Sequence, residues 1–149
     1  MTLLESIPPY WEPMKAVFRT RMGDMDTEEG RKMLAERSPL THVQNIMKPL
    51  PIGQGANDPR VKQAESDQIV AAMNQNGIPV TYALYPDERH GFASPENNLS
   101  FFTITEAFLS RTLGGRMEPI GDAFNGSSVK ILAGGDEIPG LDGVPVDSE

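Results

Sequence analysis

Gly55-Ala56-Asn57-Asp58-Pro59-Arg60-Val61 and Tyr85-Pro86-Asp87-Glu88-Arg89-His90-Gly91-Phe92 each follow on an apolar run, and together they decide how the chain is read. Lys48 to Gln54 is a short apolar run bounded by turn formers, the mark of an internal parallel strand. Ile78 to Tyr85 is a second run, rich in β-forming residues. Between them, Val61 to Asn76 spaces Ala64, Ile69, Val70 and Met73 along one helical face, and Gly77 suits a left-handed terminator. The pattern predicts strand, helix, strand, with Asp58 and His90 in the loops at the carboxyl ends of the two strands.

Outward from this unit, Pro8, Pro9, Tyr10 and Trp11 precede Pro13, which suits the first turn of a helix because a missing amide proton costs nothing there. Met14, Val17, Phe18 and Met22 then fall on one face, and Gly23 ends that helix. Asp26-Thr27-Glu28-Glu29 predicts a second short helix through Arg37, with its acidic residues at the favourable end of the dipole and Ser38-Pro39 closing it. After His90, the residues Phe101, Ile104, Phe108, Leu109 and Thr112 predict the inner face of a last helix stopped by Gly114-Gly115. From Arg116 the texture changes to Gly, Pro, Asp and Ser. Residues 1–115 therefore read as one structural unit and residues 116–149 as a loosely ordered acidic tail, with Val129 to Leu132 making one extended contact. Pro51 predicts a bulge or a strand weakly paired on that side. The fold class is α/β, and two strands are too few to bury both faces of a parallel sheet. The sheet is expected to be incomplete in this chain, with further strands coming from outside it, from a second copy, or not at all.

The chain of 149 residues carries a formal charge of −8 and a pI near 4.7, which disfavours nucleic acid and anionic membranes as partners, since both need a basic face. With no cysteine there is no disulfide frame, no thiolate nucleophile and no cysteine zinc site. No apolar stretch approaches the roughly 18 to 20 residues of a membrane span, and Met1 to Ser6 lack the basic start and long apolar run of a secretion signal.

Taken alone, an Asp in an Asn-Asp-Pro turn is most often a turn former, and a loop histidine is most often structural. Placed together around a strand-helix-strand unit, Asp58 and His90 point to chemistry. A carboxylate that holds an imidazole in one tautomer lets the ring take a proton from a hydroxyl. In the α/β-hydrolase fold the triad runs in the order Ser, Asp or Glu, His, with the last two in loops after the final strands. The order fits here, yet no GxSxG occurs in the 149 residues. The chain therefore reads as the last βαβ unit and C-terminal helix of such a domain. His42 reads as a structural or exposed residue, Lys62, Glu65 and Asp67 as a solvated helix face, and Tyr10 and Trp11 as packing residues. Asp87 and Glu88 beside His90 are possible metal ligands, but the recurring His or Cys spacing of a metal site is missing, so no metal ligand is assigned and no cofactor is required.

Ser38-Pro39-Leu40-Thr41-His42-Val43, the run Pro49 to Val61, and Tyr85 to Phe92 resemble the carboxyl-terminal end of the prolyl oligopeptidase family of serine peptidases, closest to its bacterial dipeptidyl or acylaminoacyl peptidase-like members. The resemblance extends over Leu3 to Trp11 and Leu113-Gly114-Gly115-Arg116. It implies a peptide or ester substrate, with Asp58 as triad acid and His90 as general base. It also implies that Arg60 holds a substrate carbonyl and that Val61 lines the nearby pocket. Family members are exported or cytoplasmic. Three positions depart from the family pattern: Arg89 replaces a glycine before the histidine, Gln44 stands where aspartate is common, and Pro51 interrupts the strand.

Three functions fit these residues. The first is the acid-and-base portion of a serine peptidase, inactive without the nucleophile. The second is a non-catalytic fragment that self-associates through its open sheet edge. The third is a small hydrolase in which His90, Asp58, Glu88 or His42 hold a metal that activates water.

Overall fold

The structure is a computed structural model describing residues 2–136, 138, 140 and 141, with α1 at Thr2–Glu5 and a 3-10 helix at Pro9–Met14. Helix α2 follows at Lys15–Arg21, then α3 at Glu28–Arg37 and a second 3-10 helix at Pro39–Asn45. The remaining order is β1 (Leu50–Gly55), α4 (Gln63–Gln75), β2 (Val80–Tyr85), α5 (Pro95–Leu113) and β3 (Lys130–Ala133).

The sheet order is β1-β2-β3, with β1 and β2 parallel and β3 antiparallel to β2. All six residues of β2 are buried, because the strand is central and covered on both faces. Side chains alternate along a strand, so Ala83 and Tyr85 meet Ile104, Ala107 and Phe108 of α5, while Val80 and Tyr82 meet Val70 and Met73 of α4. Strand and helix bounds fall within about two residues of the periodicity reading, the usual uncertainty of helix ends. Gly77 takes φ +67 after α4, the left-handed terminator expected of it. Thr27 caps α3 by accepting from the Gly30 amide at 3.0 Å.

Three expectations are corrected, and a fourth resolves between its two alternatives. Pro51 makes no bulge, since β1 pairs with β2 in unbroken register from Leu50↔Val80 to Gly55↔Tyr85, and among the described residues β1 has no strand on its other side. The Leu50 amide donates to Pro79 O, so the next nitrogen, that of Pro51, faces the open edge, where no ladder bond is lost to β2. The helix expected from Pro13 begins instead as a 3-10 turn, and Met14, Val17 and Met22 are exposed, while Phe18 packs against Trp11 with centroids 6.0 Å apart. In α5 the inner face is Asn97, Ser100, Phe101, Ile104, Ala107 and Phe108, and Leu109 and Thr112 are exposed. Leu109 stands five residues past Ile104, roughly 140° round the helix.

The last correction concerns the described residues from 116 to 141, which are not loose: Val129, Ile131, Ile138 and Leu141 are buried in the cluster between sheet and α5, and the extended contact expected of Val129 to Leu132 is β3, which gives the free edge of β2 a partner. Isolated apolar residues among Gly, Pro and Ser suffice because each enters a core already built by β2 and α5. Residues 142–149 of the expected tail lie outside the described residues. Among the described residues, no helix is long and apolar enough to cross a membrane.

Ile131→Ala is expected to cost about 2–5 kcal/mol, whereas the exposed Leu113→Ala changes stability by less than about 0.5 kcal/mol, both read from urea midpoints.

Candidate functional site

Because β1 and β2 are parallel and level at Gly55↔Tyr85, their following loops emerge side by side. They are stitched together: the Ala56 amide donates to Tyr85 O at 3.0 Å, the Asn57 amide to Glu88 O at 2.9 Å, and Asn57 Nδ2 to Pro86 O at 2.6 Å. Gly55 is needed at this crossing. A Cβ there would stand 2.3 Å from Arg89 O and 2.8 Å from Glu88 O, both backbone atoms that cannot swing away.

Asp58 turns on itself beyond that crossing. Its Oδ1 accepts from the amides of Arg60 at 2.8 Å and Val61 at 2.9 Å, a local turn bond that asparagine and aspartate favour. Its Oδ2 is then left to receive His90 Nδ1 at 2.8 Å. The Asp58 side chain is 7% exposed and that of His90 44%, so the acid is sheltered and the ring is wet. Burial pushes the Asp58 carboxyl up, but the Val61 and Arg60 amides and His90 outweigh it and hold the group below the ordinary range. In a neutral ring whose Nδ1 donates to the carboxylate, Nε2 carries the lone pair, and it has no partner among the described residues. His90, Asp58 and Val61 line an open cleft of about 450 Å³ floored by Phe92 and Phe101, whose rings pack edge to face at 5.3 Å.

Each loop has a buried polar anchor that the sequence reading did not single out for this role. On the acid side, Gln54 Nε2 donates to Gly55 O and Val61 O at 2.9 and 3.0 Å, and its Oε1 accepts from Ser66 Oγ of α4 at 2.7 Å. On the base side, Glu88 is 4% exposed and turned inward. Its carboxylate accepts from the Ala93 and Ser94 amides at 2.8 and 2.9 Å and from Asn97 Nδ2 at 2.9 Å. The loop is thereby pinched shut at its base with His90 and Gly91 at the tip, and Gly91 takes φ +86. Burial raises Glu88, the Ala93, Asn97 and Ser94 donors lower it, the Asp87 charge raises it, and the net direction is down. The signal available was an acid shortly before the helix-capping sequence Ser94-Pro95-Glu96.

The other named residues distribute as follows. Arg60 turns from the cleft toward the N-terminal aromatics: its Nε donates to Tyr10 Oη at 3.3 Å and its guanidinium lies 5.6 Å from the Trp11 ring centroid. Asp67 is not simply solvated, since it accepts from Tyr82 Oη at 2.9 Å. His42 is exposed, and its ring bonds to Glu36 O. Arg89 is exposed and lines the cleft beside His90, and its carbonyl is what Gly55 meets at the crossing. Among the described residues no three His, Asp or Glu side chains converge as a metal site would require.

A family model described as the prolyl oligopeptidase family matches residues 10–116. The chain belongs to the prolyl oligopeptidase family. It is 61% identical over 140 residues to dipeptidyl aminopeptidase BIII of Pseudoxanthomonas mexicana, covering 94% of this chain and 20% of that protein. It is 49% identical over 120 residues to dipeptidyl peptidase family member 6 of Caenorhabditis elegans, covering 80% of this chain and 16% of that protein. The solved structure of a puromycin-hydrolysing peptidase of Mycobacterium tuberculosis superposes with a TM-score of 0.68 at 25% identity, over 79% of this chain and 17% of that one. The chain thus spans about a fifth of the length of its curated relatives, and its mixed α/β sheet is part of a hydrolase-like peptidase fold.

Gly55→Ala is expected to cost about 1–3 kcal/mol, the range for forcing a methyl group into filled space, seen as a lower urea midpoint. A second outcome concerns pH. Glu88 in the folded chain lies below its ordinary value of 4.5, so its contribution is complete above that pH and is lost only as pH falls through the depressed value. Hydrogen exchange at the Ala93 and Ser94 amides, corrected for intrinsic pH dependence, should therefore stay slow at about pH 5 and quicken only at pH values below the ordinary 4.5.

Proposed function

We propose that this chain supplies the acid and base of a Ser-His-Asp peptidase site, with Asp58 as acid and His90 as base, and that it lacks serine-peptidase activity by itself. The observation carrying this reading is the 2.8 Å bond from His90 Nδ1 to Asp58 Oδ2, which leaves Nε2 unpartnered in a residue lining the cleft. With the serine of the rest of a catalytic domain in that cleft, Nε2 takes the hydroxyl proton as the oxygen attacks the scissile carbonyl. Asp58 stabilises the resulting imidazolium, and the ring returns the proton to the leaving amine before water releases the acyl group. The names of the relatives support release of dipeptides by the whole protein. Val61, at the cleft wall, would contact the substrate, and Arg60 would hold a backbone carbonyl after giving up Tyr10.

The open edge of β1 supports a second reading for the isolated chain: self-association through that edge, with one donor already missing at Pro51. A compact monomer in sedimentation at micromolar concentration would count against it. A metal-dependent hydrolase has no comparable support, because Glu88 turns inward to the loop amides.

Tested on aminoacyl-p-nitroanilide substrates, the isolated chain should match its His90→Ala variant. Joined to the remaining part of the catalytic domain of a close relative, it should become active. His90→Ala should then lower kcat by about 10⁶-fold, the scale found when a triad base is removed. Activity that survives His90→Ala in the joined enzyme would refute the assignment.

A further inference from the structure

The base-side anchor does not end at Glu88. Asn97, in the first turn of α5 and 1% exposed, faces two directions at once. Its Nδ2 donates to Glu88 Oε1 at 2.9 Å and to Asp87 Oδ1 at 3.1 Å. Its Oδ1 accepts from the Ser128 amide at 2.9 Å and from Ser127 Oγ at 2.9 Å. The amide cannot be turned over: carboxylates accept only and a backbone N–H donates only, so both ends of the side chain are assigned by their partners. Ser128 Oγ also donates to Asp87, and Ser127 Oγ meets Ser100 Oγ at 2.9 Å, which in turn meets Tyr85 Oη at 3.1 Å. Among the described residues no buried side-chain polar atom is left without a partner.

Ser127 and Ser128 lie beyond residue 116, where the family match ends, and lead directly into β3. We infer that this Ser127–Ser128 turn is a working part of the site, latching the His90 loop through Asn97, and that Asn97, Ser127 and Ser128 are positioning residues for His90. The physical route is short. Glu88 needs its donors to stay charged in a buried position, and Asn97 supplies one of them. With the two hydroxyls gone, the Asn97 oxygen keeps only the residue-128 amide and Asp87 loses its Ser128 donor, so the side chain is held by fewer bonds and is less rigid. Glu88 is then held less firmly, and the Glu88–Ser94 pinch that aims His90 at Asp58 opens. Burial of Val129 and Ile131 behind the turn is what keeps the latch seated.

This inference rests on His90 as the paired base, but it is tested without substrate, so it can fail while restored hydrolysis still tracks His90. The chain has two histidines, which makes His42 an internal control. Ring ¹⁵N shifts at about pH 8, where a neutral imidazole reports its tautomer, would be compared in the 149-residue chain and in its Ser127→Ala/Ser128→Ala variant. The expected result is that His90 loses Nδ1–H character toward the Nε2–H tautomer of a free imidazole. His42 should stay unchanged, and the Ala93 and Ser94 amides should exchange about tenfold faster, the equivalent of one lost hydrogen bond. Ser128→Thr, which keeps the hydroxyl, should behave as the parent chain. If the double variant loses its amide dispersion, Ser128→Ala alone, which keeps the Ser127 hydroxyl bond to Asn97, is read in the same way. Unchanged His90 shifts in a folded variant overturn the inference, whether or not the two amides quicken.

Discussion

Two loops can lie against each other only because Gly55 has no side chain. The Arg89 carbonyl occupies the place a Cβ would take, and from that contact follow the Asn57-to-Glu88 and Ala56-to-Tyr85 bonds that set the spacing of the loops. Asp58 and His90 are 32 residues apart in sequence and meet at 2.8 Å because each stands a few residues from that crossing. The parallel register, level at Gly55 and Tyr85, brings the strand ends to the same height, and the glycine lets the chains close the last gap.

Around this crossing the polar groups are graded by burial. Gln54, Ser66, Glu88, Asn97 and Ser100 are buried and each has partners, while the His90 ring is open to water. The arrangement follows from the cost of an unpaired polar group in a low-dielectric interior: anchors must be fully satisfied, and satisfied anchors are rigid. A reacting group has the opposite requirement, one fixed side and one free side. His90 meets it with Nδ1 held by Asp58 and Nε2 without a partner among the described residues. Asp58 itself divides the same way, one oxygen spent on the Arg60 and Val61 amides and the other on the ring.

The sheet explains why so short a parallel pair can hold these loops in place. β2 is buried on both faces and paired on both edges, with α4 behind one face, α5 behind the other and β3 along its side. β1 keeps an open edge, and the ring nitrogen of Pro51 on that edge removes one of the donors another strand would use. Pairing to β2 is untouched, since successive amides point to opposite sides of a strand.

Periodicity in the sequence by itself determined the order of strand, helix, strand and helix, and the turn residues placed Asp58 and His90 at adjacent strand ends. These features are local, repeating every two or 3.6 residues, so neighbouring residues declare them. Tertiary structure alone decided the inner face of α5, where Asn97 and Ser100 are buried and Leu109 is not. It alone decided that Lys130–Ala133 pairs with β2, that Pro51 does no harm, and that Glu88 turns inward. In each of these cases the deciding partner lies elsewhere in the chain or across the sheet. A polar side chain's role is set by which donors and acceptors reach it after folding, and that is written in distance through space rather than in spacing along the sequence.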